Sequence, residues 1–551
     1  MVLREIHTLW FEHPEWWFNA PAEVDRLLEE KFTKWIELAR IYISFDLEVR
    51  HEFTSKEEYV GLIILFDQIP RHAYRTRGGA HCVQYYLQYA VHYAEYFSHR
   101  YEYGELNAYE WSFVKLPWRH AENVWMIRNT MSDTWQKLHM AKFTPKCPKE
   151  MLHLRRFLRA TYERYPFHIY HEVDYMEYWM HEKNPFESED GYSTYKDLLA
   201  YCPESVALRE TTNDIRITPL WQTIATQIDH KQNYIISLSG GVDSMVCSYI
   251  TTLKLRERMK HIKLCAVHIN YSNRPEGGQE ENFIHDWCRF IDIPLYIRRI
   301  DEIHRKESMH EDLRETYETY TRNVRYSTYK HVWNKYFCIE DDDEIPRVIL
   351  GHNKDDCFEN ILTNITHCSK YDNLEGMSAE GVQDRICFIR PFLTIPKADI
   401  YTFSREYNIP HLATSTPSWS MRGQIRDSIK PALIEWNPGI IQGFHELSHR
   451  MGELNQIVNI YLDMHLEKLR KQNGCIEFAN ATEILESQIY WKTLIYKYSG
   501  CLPSVKSIDA LVSHIRRFKS NRTDSISVKI NKDCHIRMLN VHNIKITCSF
   551  V

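Results

Sequence analysis

One short string constrains this chain more than any other: Ser239-Gly240-Gly241-Val242-Asp243-Ser244. An apolar run, residues 233–239, precedes it, and a helix-like stretch, residues 242–260, follows. The run reads as a buried parallel strand, so the string is a strand–turn–helix junction. Two glycines let backbone N–H groups turn toward an anion with no Cβ in the way. The helix N-terminus adds unpaired N–H groups and a partial positive charge. Ser239 and Ser244 add hydroxyls. No Lys follows the glycines as in a Walker A loop. A bare Gly-Gly could be a mere turn; the full string in this context points to a phosphate site. Residues 263–269, 294–300 and 347–352 read as further strands, alternating with helical stretches at 280–290, 317–335 and 355–364. That alternation predicts an α/β fold, a doubly wound parallel sheet with ligands beyond the carboxyl ends of its strands.

The string resembles the PP-loop of the ATP pyrophosphatase superfamily (adenine nucleotide alpha hydrolase-like). That resemblance implies ATP cleavage between the α- and β-phosphates, with pyrophosphate held by the loop and AMP passed to a substrate oxygen. Further stretches follow in order: His268 to Arg274, Thr321 to Tyr326, Gly351 to Asn360, Arg390-Pro391-Phe392-Leu393, and Arg422 to Arg426 with Pro431 and Leu433. Together they resemble the catalytic domain of tRNA(Ile)-lysidine synthase over residues 232–433. The resemblance implies adenylation of a wobble cytidine in tRNA, displacement of AMP by free lysine or another small nucleophile, and ATP and Mg²⁺ as cofactors. It implies nucleotide binding by Ser239, Gly240, Gly241, Val242, Asp243, Ser244, His268 and His352. Catalytic roles fall to Asp243, Asp356, Glu359, Arg325 and Arg426, and Mg²⁺ ligation to Asp243 and Asp356. The chain departs from the family pattern at Asn353 (usually a second His), Asn360, Tyr271, Ser272 and Gly423, and residues 414–421 look shortened. The related tRNA thiolation enzymes are the nearest rival; many use a C-x-x-C pair, which none of the 14 cysteines forms. A nucleotide-binding scaffold without enzymatic activity is the other alternative.

Several of these residues have two readings by residue chemistry alone. Asp356 and Glu359 stand at i and i+3, on one helix face. They suit Mg²⁺ beside a triphosphate, or merely favour a helix N-terminus. Arg322 and Arg325 share a face, as do Arg422 and Arg426 if that segment is helical. Guanidinium groups there neutralise a transferring phosphoryl group, grip RNA phosphate, or form a solvated face. His268 and His352 are nucleotide contacts or satisfied core histidines. Cys357 reads as a small buried residue.

Apolar residues elsewhere recur at helical spacing. Val24, Leu27, Leu28, Phe32, Trp35, Ile36 and Leu38 outline one buried face, and the run Tyr59 to Ile69 should stop at Pro70. Residues 5–180 read as helical throughout. Leu9-Trp10-Phe11, Leu65 to Arg71 and Leu116 to Glu122 resemble an uncharacterised bacterial family of TPR-like all-helical proteins, a resemblance that carries a fold and no chemistry. The domain expectation is therefore an all-α domain over 1–183, a linker over 184–230, the PP-loop domain over 231–435, and a small α+β C-terminal domain over 436–551. The C-terminal domain has helices near 440–471 and 508–519 and strands near 526–530 and 544–548.

Net charge is −6, so any nucleic-acid surface must be local. Arg516, Arg517, Lys519, Arg522, Lys529 and Lys532 make one such patch, for tRNA phosphates or as a solvated face. His168, His171 and His181 read as a surface cluster, the acidic run 340–344 as a solvated loop, and Arg71, Arg75 and Arg77 as a ligand-facing edge or a charged turn. No apolar run spans a bilayer and no secretory signal is seen. The scattered cysteines fit a reducing compartment, so a cytoplasmic, non-membrane protein is expected, with a possible protein partner for the helical domain.

Overall fold

A computed structural model describes residues 2–45, 55–75, 80–100, 105–121, 123–140, 148–164, 171–175, 185–187, 194–203, 206, 212–258, 263–305, 311–337, 344–366, 376–413, 421–471, 475–477, 486–499, 503–521, 526–529, 534–538 and 543–548. His168, His181, Arg77, Glu122, Arg522, Lys532 and the segment 414–420 lie outside them.

The N-terminal region is helical: α1 (Val2–Glu12), α2 (Trp16–Asn19), α3 (Ala22–Phe45), α4 (Lys56–Ala73), α5 (Ala80–Arg100), α6 (Ala108–His120), α7 (Val124–Met140) and α8 (Pro148–Arg164). Leu28, Phe32 and Ile36 form the buried stripe of α3, while Leu27 and Leu38 are exposed, so the buried face is narrower than the sequence spacing suggests. Helix α4 is buried over most of its length and does not stop at Pro70. Pro70 lies in the last turn, and the helix closes there because Tyr74 donates its amide to the Pro70 carbonyl at 3.0 Å. A proline this close to a helix end costs less than one in mid-helix. Helix α6 begins with a reciprocal cap between Asn107 and Glu110 and holds Pro117 inside it.

Among the described residues before 180, the helical reading fails at a strand. Residues His171–Tyr175 form strand β1, which pairs antiparallel with the central sheet. Its five residues are too few to show a period against the helical texture around them. The central sheet runs β1-β5-β4-β3-β6-β8-β7, with β3 (Tyr234–Leu238), β4 (Leu264–Asn270), β5 (Leu295–Arg299), β6 (Arg347–Ile349), β7 (Glu380–Gln383) and β8 (Ile386–Ile389). Strands β5, β4, β3, β6 and β8 are mutually parallel. The β7–β8 hairpin turns at Asp384 and Arg385, both at positive φ. The segment read as a linker is structured in part: β2 (Leu199–Tyr201) pairs with β9 (His411–Leu412), and helix Pro219–Gln227 packs on helix Val242–Arg256.

Alternate residues of the central strands enter two cores, as the pleat requires. Ile236, Leu238, Leu264, Ala266, Leu295, Ile297 and Ile349 pack with helices Val242–Arg256, Gly277–Phe290 and Lys397–Glu406. Ile235, Cys265, Val267, Tyr296 and Val348 pack with the long helix Glu311–Phe337 and share one continuous core with the N-terminal helices. Trp135 of α7 donates its indole N–H to the His304 carbonyl at 3.3 Å, Arg128 pairs with Asp301, and the Tyr162 ring meets Tyr320 edge-on. Beneath them Arg298 and Glu302 form a fully buried ion pair at 2.6 Å, to which Tyr320 donates its hydroxyl. The helical region is thus a layer of the α/β fold.

Beyond residue 436 the chain is largely helical, with helices Ile440–Lys471, Gln488–Ser499 and Val505–Asn521 and a four-stranded antiparallel sheet of β10 (Cys475–Glu477), β13 (Asn543–Cys548), β12 (Cys534–Met538) and β11 (Ile526–Lys529). Of the basic patch, Arg516 is exposed and paired with Glu486; the side chains of Arg517, Lys519 and Lys529 lie outside the described residues.

Trp135 is fully buried in the shared core. Trp135→Ala should cost about 3–5 kcal/mol of stability. Chemical denaturation followed by tryptophan fluorescence and by far-UV dichroism should show both signals shifting together; a shift confined to the helical signal would mean the layers unfold independently.

Candidate active site

Segments that follow β3, β6 and β8 meet at Asp243 in the central region. After β3 the chain turns through Ser239, Gly240 and Gly241 into helix Val242–Arg256. Gly240 has φ +77°, a conformation L side chains rarely adopt, and an added Cβ would stand 2.5 Å from the Leu412 side chain. Its carbonyl accepts the Leu412 amide at 2.9 Å. The serine hydroxyls brace the turn: Ser244 Oγ donates to the Gly241 carbonyl at 3.0 Å and accepts the Ser239 amide at 3.2 Å, while Ser239 Oγ accepts the Gly241 amide at 3.4 Å. Val242 buries its side chain in the core and offers the site only its backbone. The first-turn amides of the helix have no intrahelical acceptor, which leaves them for an anion.

The loop after β6 lies directly on this turn. A Cβ on Gly351 would stand 2.9 Å from the Asp243 carbonyl and the Ser244 amide. Two residues on, Asn353 is fully buried and does two jobs. Its Oδ1 accepts the amides of Asp355 and Asp356 at 2.8 and 3.1 Å, capping helix Lys354–Thr366, and its Nδ2 donates to Asp243 Oδ1 at 2.8 Å. Asp356 completes the cap by accepting the Asn353 amide at 3.1 Å. Asn353 was noted in the sequence only as a departure from the family's His. An imidazole has no carbonyl-type oxygen with which to take the two cap amides.

Lys397 carries no signal in the sequence as a site residue. Its Nζ stands 3.2 Å from Asp243 Oδ2. It opens a helix after Pro396, and no spacing signal distinguishes it from any other first-turn lysine. Burial pushes the Asp243 carboxyl up, Lys397 opposes that, and the Asp356 charge adds to it.

Helix Lys354–Thr366 brings Asp356 and Glu359 to one guanidinium. Arg426 donates Nε to Glu359 Oε1 at 2.9 Å and lies 3.7 Å from Asp356. Residues 425–429 form a π-turn inside the helical run 421–436, and the charges of Arg426 and Arg422 both act on Glu359, Arg426 the more strongly. Arg422 is exposed, while Arg426 is half-buried on its two carboxylates. Such π-turns are frequent at functional sites. Burial raises Glu359, with Arg426 pulling it back, and Glu359 Oε2 is buried without a hydrogen-bond partner.

His268 is buried, His352 partly so, and both are neutral at neutral pH. His268 shares a 2.8 Å hydrogen bond between Nδ1 and the Leu238 carbonyl, leaving Nε2 buried and unpartnered. Burial holds His352 down at about 4; Asp356 opposes the shift, while Arg422, Arg390 and Arg325 reinforce it. Three guanidinium groups therefore gather near His352. Arg325 lies among Tyr271, Tyr326 and Tyr329 and makes no ion pair among the described residues. Arg322 is exposed. Burial pushes the Cys357 thiol up, which makes it a weak nucleophile at neutral pH.

Among the described residues, no three His, Cys, Asp or Glu side chains stand close enough to hold a metal by themselves. Mg²⁺ at a nucleotide needs only one or two carboxylates, with phosphate and water oxygens completing its shell. The mutual repulsion of Asp243 and Asp356 and the orphaned Glu359 oxygen fit such a cation.

A glycine turn at the end of a central parallel strand, an anion-ready helix terminus and an acidic helix beside it make up the candidate site. Residues 210–433 match the family described as a PP-loop domain. Residues 6–168 match one described as a bacterial protein of unknown function. The chain is 24% identical over 312 residues to a tRNA(Ile)-lysidine synthase of Chlamydia felis, covering 55% of this chain and 90% of that one. It is also 24% identical over 324 residues to that of Persephonella marina, covering 58% and 67%. A bifunctional TilS/HprT protein of Listeria innocua matches at 24% over 304 residues, 53% of this chain and 45% of that one. A solved U34-tRNA thiolase from Methanococcus maripaludis, with its [4Fe-4S] cluster, aligns at 16% identity and a TM-score of 0.35 over 44% of this chain and 81% of that one; so low a score carries no argument. The central region is a PP-loop domain with tRNA(Ile)-lysidine synthases among its homologues.

Gly351→Ala should force the two loops apart and weaken ATP binding by at least about tenfold, or about 1.4 kcal/mol, measured by calorimetry. His352 supplies a pH test. Its pKa is depressed in the fold, so the unfolded chain binds the extra proton, and stability falls as pH drops from 6.5 toward about 4. His352→Gln should flatten that part of the stability profile; an unchanged profile would place the titration elsewhere.

Proposed function

We propose that this chain activates a tRNA base by adenylation, and that lysine ligation to a wobble cytidine is the reaction. The observation that carries this reading is the junction at Asp243, where the phosphate-binding turn is tied through Asn353 to the acidic helix bearing Asp356 and Glu359. Amides of the turn and first helical turn hold the departing pyrophosphate. Lys397, on Asp243 in the free protein, supplies a cation beside that group. Asp243 and Asp356 would hold Mg²⁺, which when bound neutralises charge on the phosphates. Arg325, with Arg390 and Arg422, offsets the charge that builds at the α-phosphorus.

The cytidine C2 oxygen forms a bond to the α-phosphorus as the bond to pyrophosphate breaks. The lysine ε-amine then forms the C–N bond at C2 while AMP leaves with its oxygen. The amine must lose a proton, and Glu359, raised by burial and with one oxygen unpartnered, suits its acceptance. Arg426 orients that carboxylate. The base must be unpaired to enter, as in an anticodon loop. No helix among the described residues is long and apolar enough to cross a membrane, and the reading places the protein with tRNA in the cytoplasm.

The test is incubation with ATP, Mg²⁺, total tRNA and labelled lysine, followed by nucleoside mass analysis. Lysine should appear on cytidine with stoichiometric pyrophosphate release, and Asp243→Asn should slow it by about 100-fold or more. Pyrophosphate release driven by a sulfur donor would replace lysine ligation with thiolation. ATP binding with no release under any tRNA would overturn the enzymatic reading.

A further inference from the structure

The helical region has a polar centre of its own, well apart in sequence from the nucleotide site. It forms where the stretches Leu65–Arg71 and Leu116–His120 meet. Asp67 on α4 has a side chain only 1% exposed. It accepts Nδ1–H of His120 at 2.8 Å, Nε and Nη2 of Arg71 at 3.3 and 3.2 Å, and the Gln68 amide. Burying a carboxylate is costly unless it is paired and hydrogen-bonded, and these donors meet that need.

The same bond fixes the imidazole. With Nδ1–H given to Asp67, Nε2 keeps its lone pair and is an acceptor. The ring is 9% exposed, and Nε2 has no hydrogen-bond partner among the described residues. Burial outweighs Asp67 and keeps His120 below its usual range, hence neutral. Arg71, 30% exposed, reaches the surface beside it. Arg119 adds a second positive charge near the ring, with its guanidinium over Phe157 at 5.1 Å. An imidazole acceptor that reaches the surface beside two guanidinium groups exceeds what helix packing requires.

We propose that His120, Arg71 and Arg119 form a second ligand site, for a phosphate-class oxyanion that still carries a P–OH group: inorganic phosphate or a phosphomonoester. Such a group donates its O–H to Nε2 and offers charged oxygens to the guanidinium groups. A carboxylate or sulfate at neutral pH has the charge and lacks the donor. The second cluster one turn on, in which Asp25 takes His72 Nδ1 at 2.7 Å and Arg75 at 3.3 Å, braces the same end of α4.

The test reads His120 itself, in the full chain. Diethyl pyrocarbonate acylates an unpartnered neutral imidazole nitrogen, and peptide mass spectrometry locates the adduct. His120 should react in the free protein. Inorganic phosphate or ribose 5-phosphate, at about ten dissociation constants, should slow that reaction about tenfold. Sulfate should not. Protection by one phosphate and not the other also supports the site and identifies its ligand. Arg71→Gln should abolish protection while ATP-dependent pyrophosphate release stays unchanged, which separates this site from the PP-loop. The proposal falls if His120 is inert while the exposed His449 reacts, if sulfate protects as well as phosphate, or if protection survives Arg71→Gln.

Discussion

The geometry of the candidate site hangs on the buried side chain of Asn353. One face of its amide closes the acidic helix, and the other holds Asp243 at the phosphate-binding turn. Two segments more than a hundred residues apart are thereby set at fixed distance, with Gly351 giving the clearance they need. The carboxylates, the arginine between them and the anion-binding amides inherit their placement from this contact. Preorganisation of that kind is what electrostatic catalysis requires, because the charges need not move when the reaction does.

The balance of charge follows. Asp243, Asp356 and Glu359 stand close together, and burial and the Asp356 charge both push Asp243 and Glu359 toward the protonated form. Lys397 and Arg426 offset two of them. Arg325, set among three tyrosines, has no ion-pair partner among the described residues and stands as positive charge beside His352. A site with surplus cation on one side and surplus carboxylate on the other suits a polyphosphate chelated to a metal.

Much of this was legible in the sequence. Strand–helix alternation marks the parallel strands because each is apolar on both faces, and the turn at Ser239 to Ser244 has one structural context. The acidic pair at i and i+3 reads directly as one helix face. What could not be read has physical reasons. Lys397 joins Asp243 from another strand end, and no local period encodes that. Asn353 looks like a deviation until its two hydrogen bonds are seen. The π-turn at 425–429 leaves no mark in the spacing of its side chains. Strand β1 is short and borrows its sheet from β5, and Pro70 yields to the packing of a helix buried on nearly every side.

The core shared between the N-terminal helices and the sheet has a mechanical meaning. Close-packed interiors do not deform smoothly. The long helix Glu311–Phe337, which carries Arg325, is gripped on one side by Trp135 and Tyr162 and on the other by the strands. The two parts share one interior, so swinging one against the other would require opening it. Anything that tightens the helical layer would be felt by that helix as pressure along its flank, and the arginine rides on it.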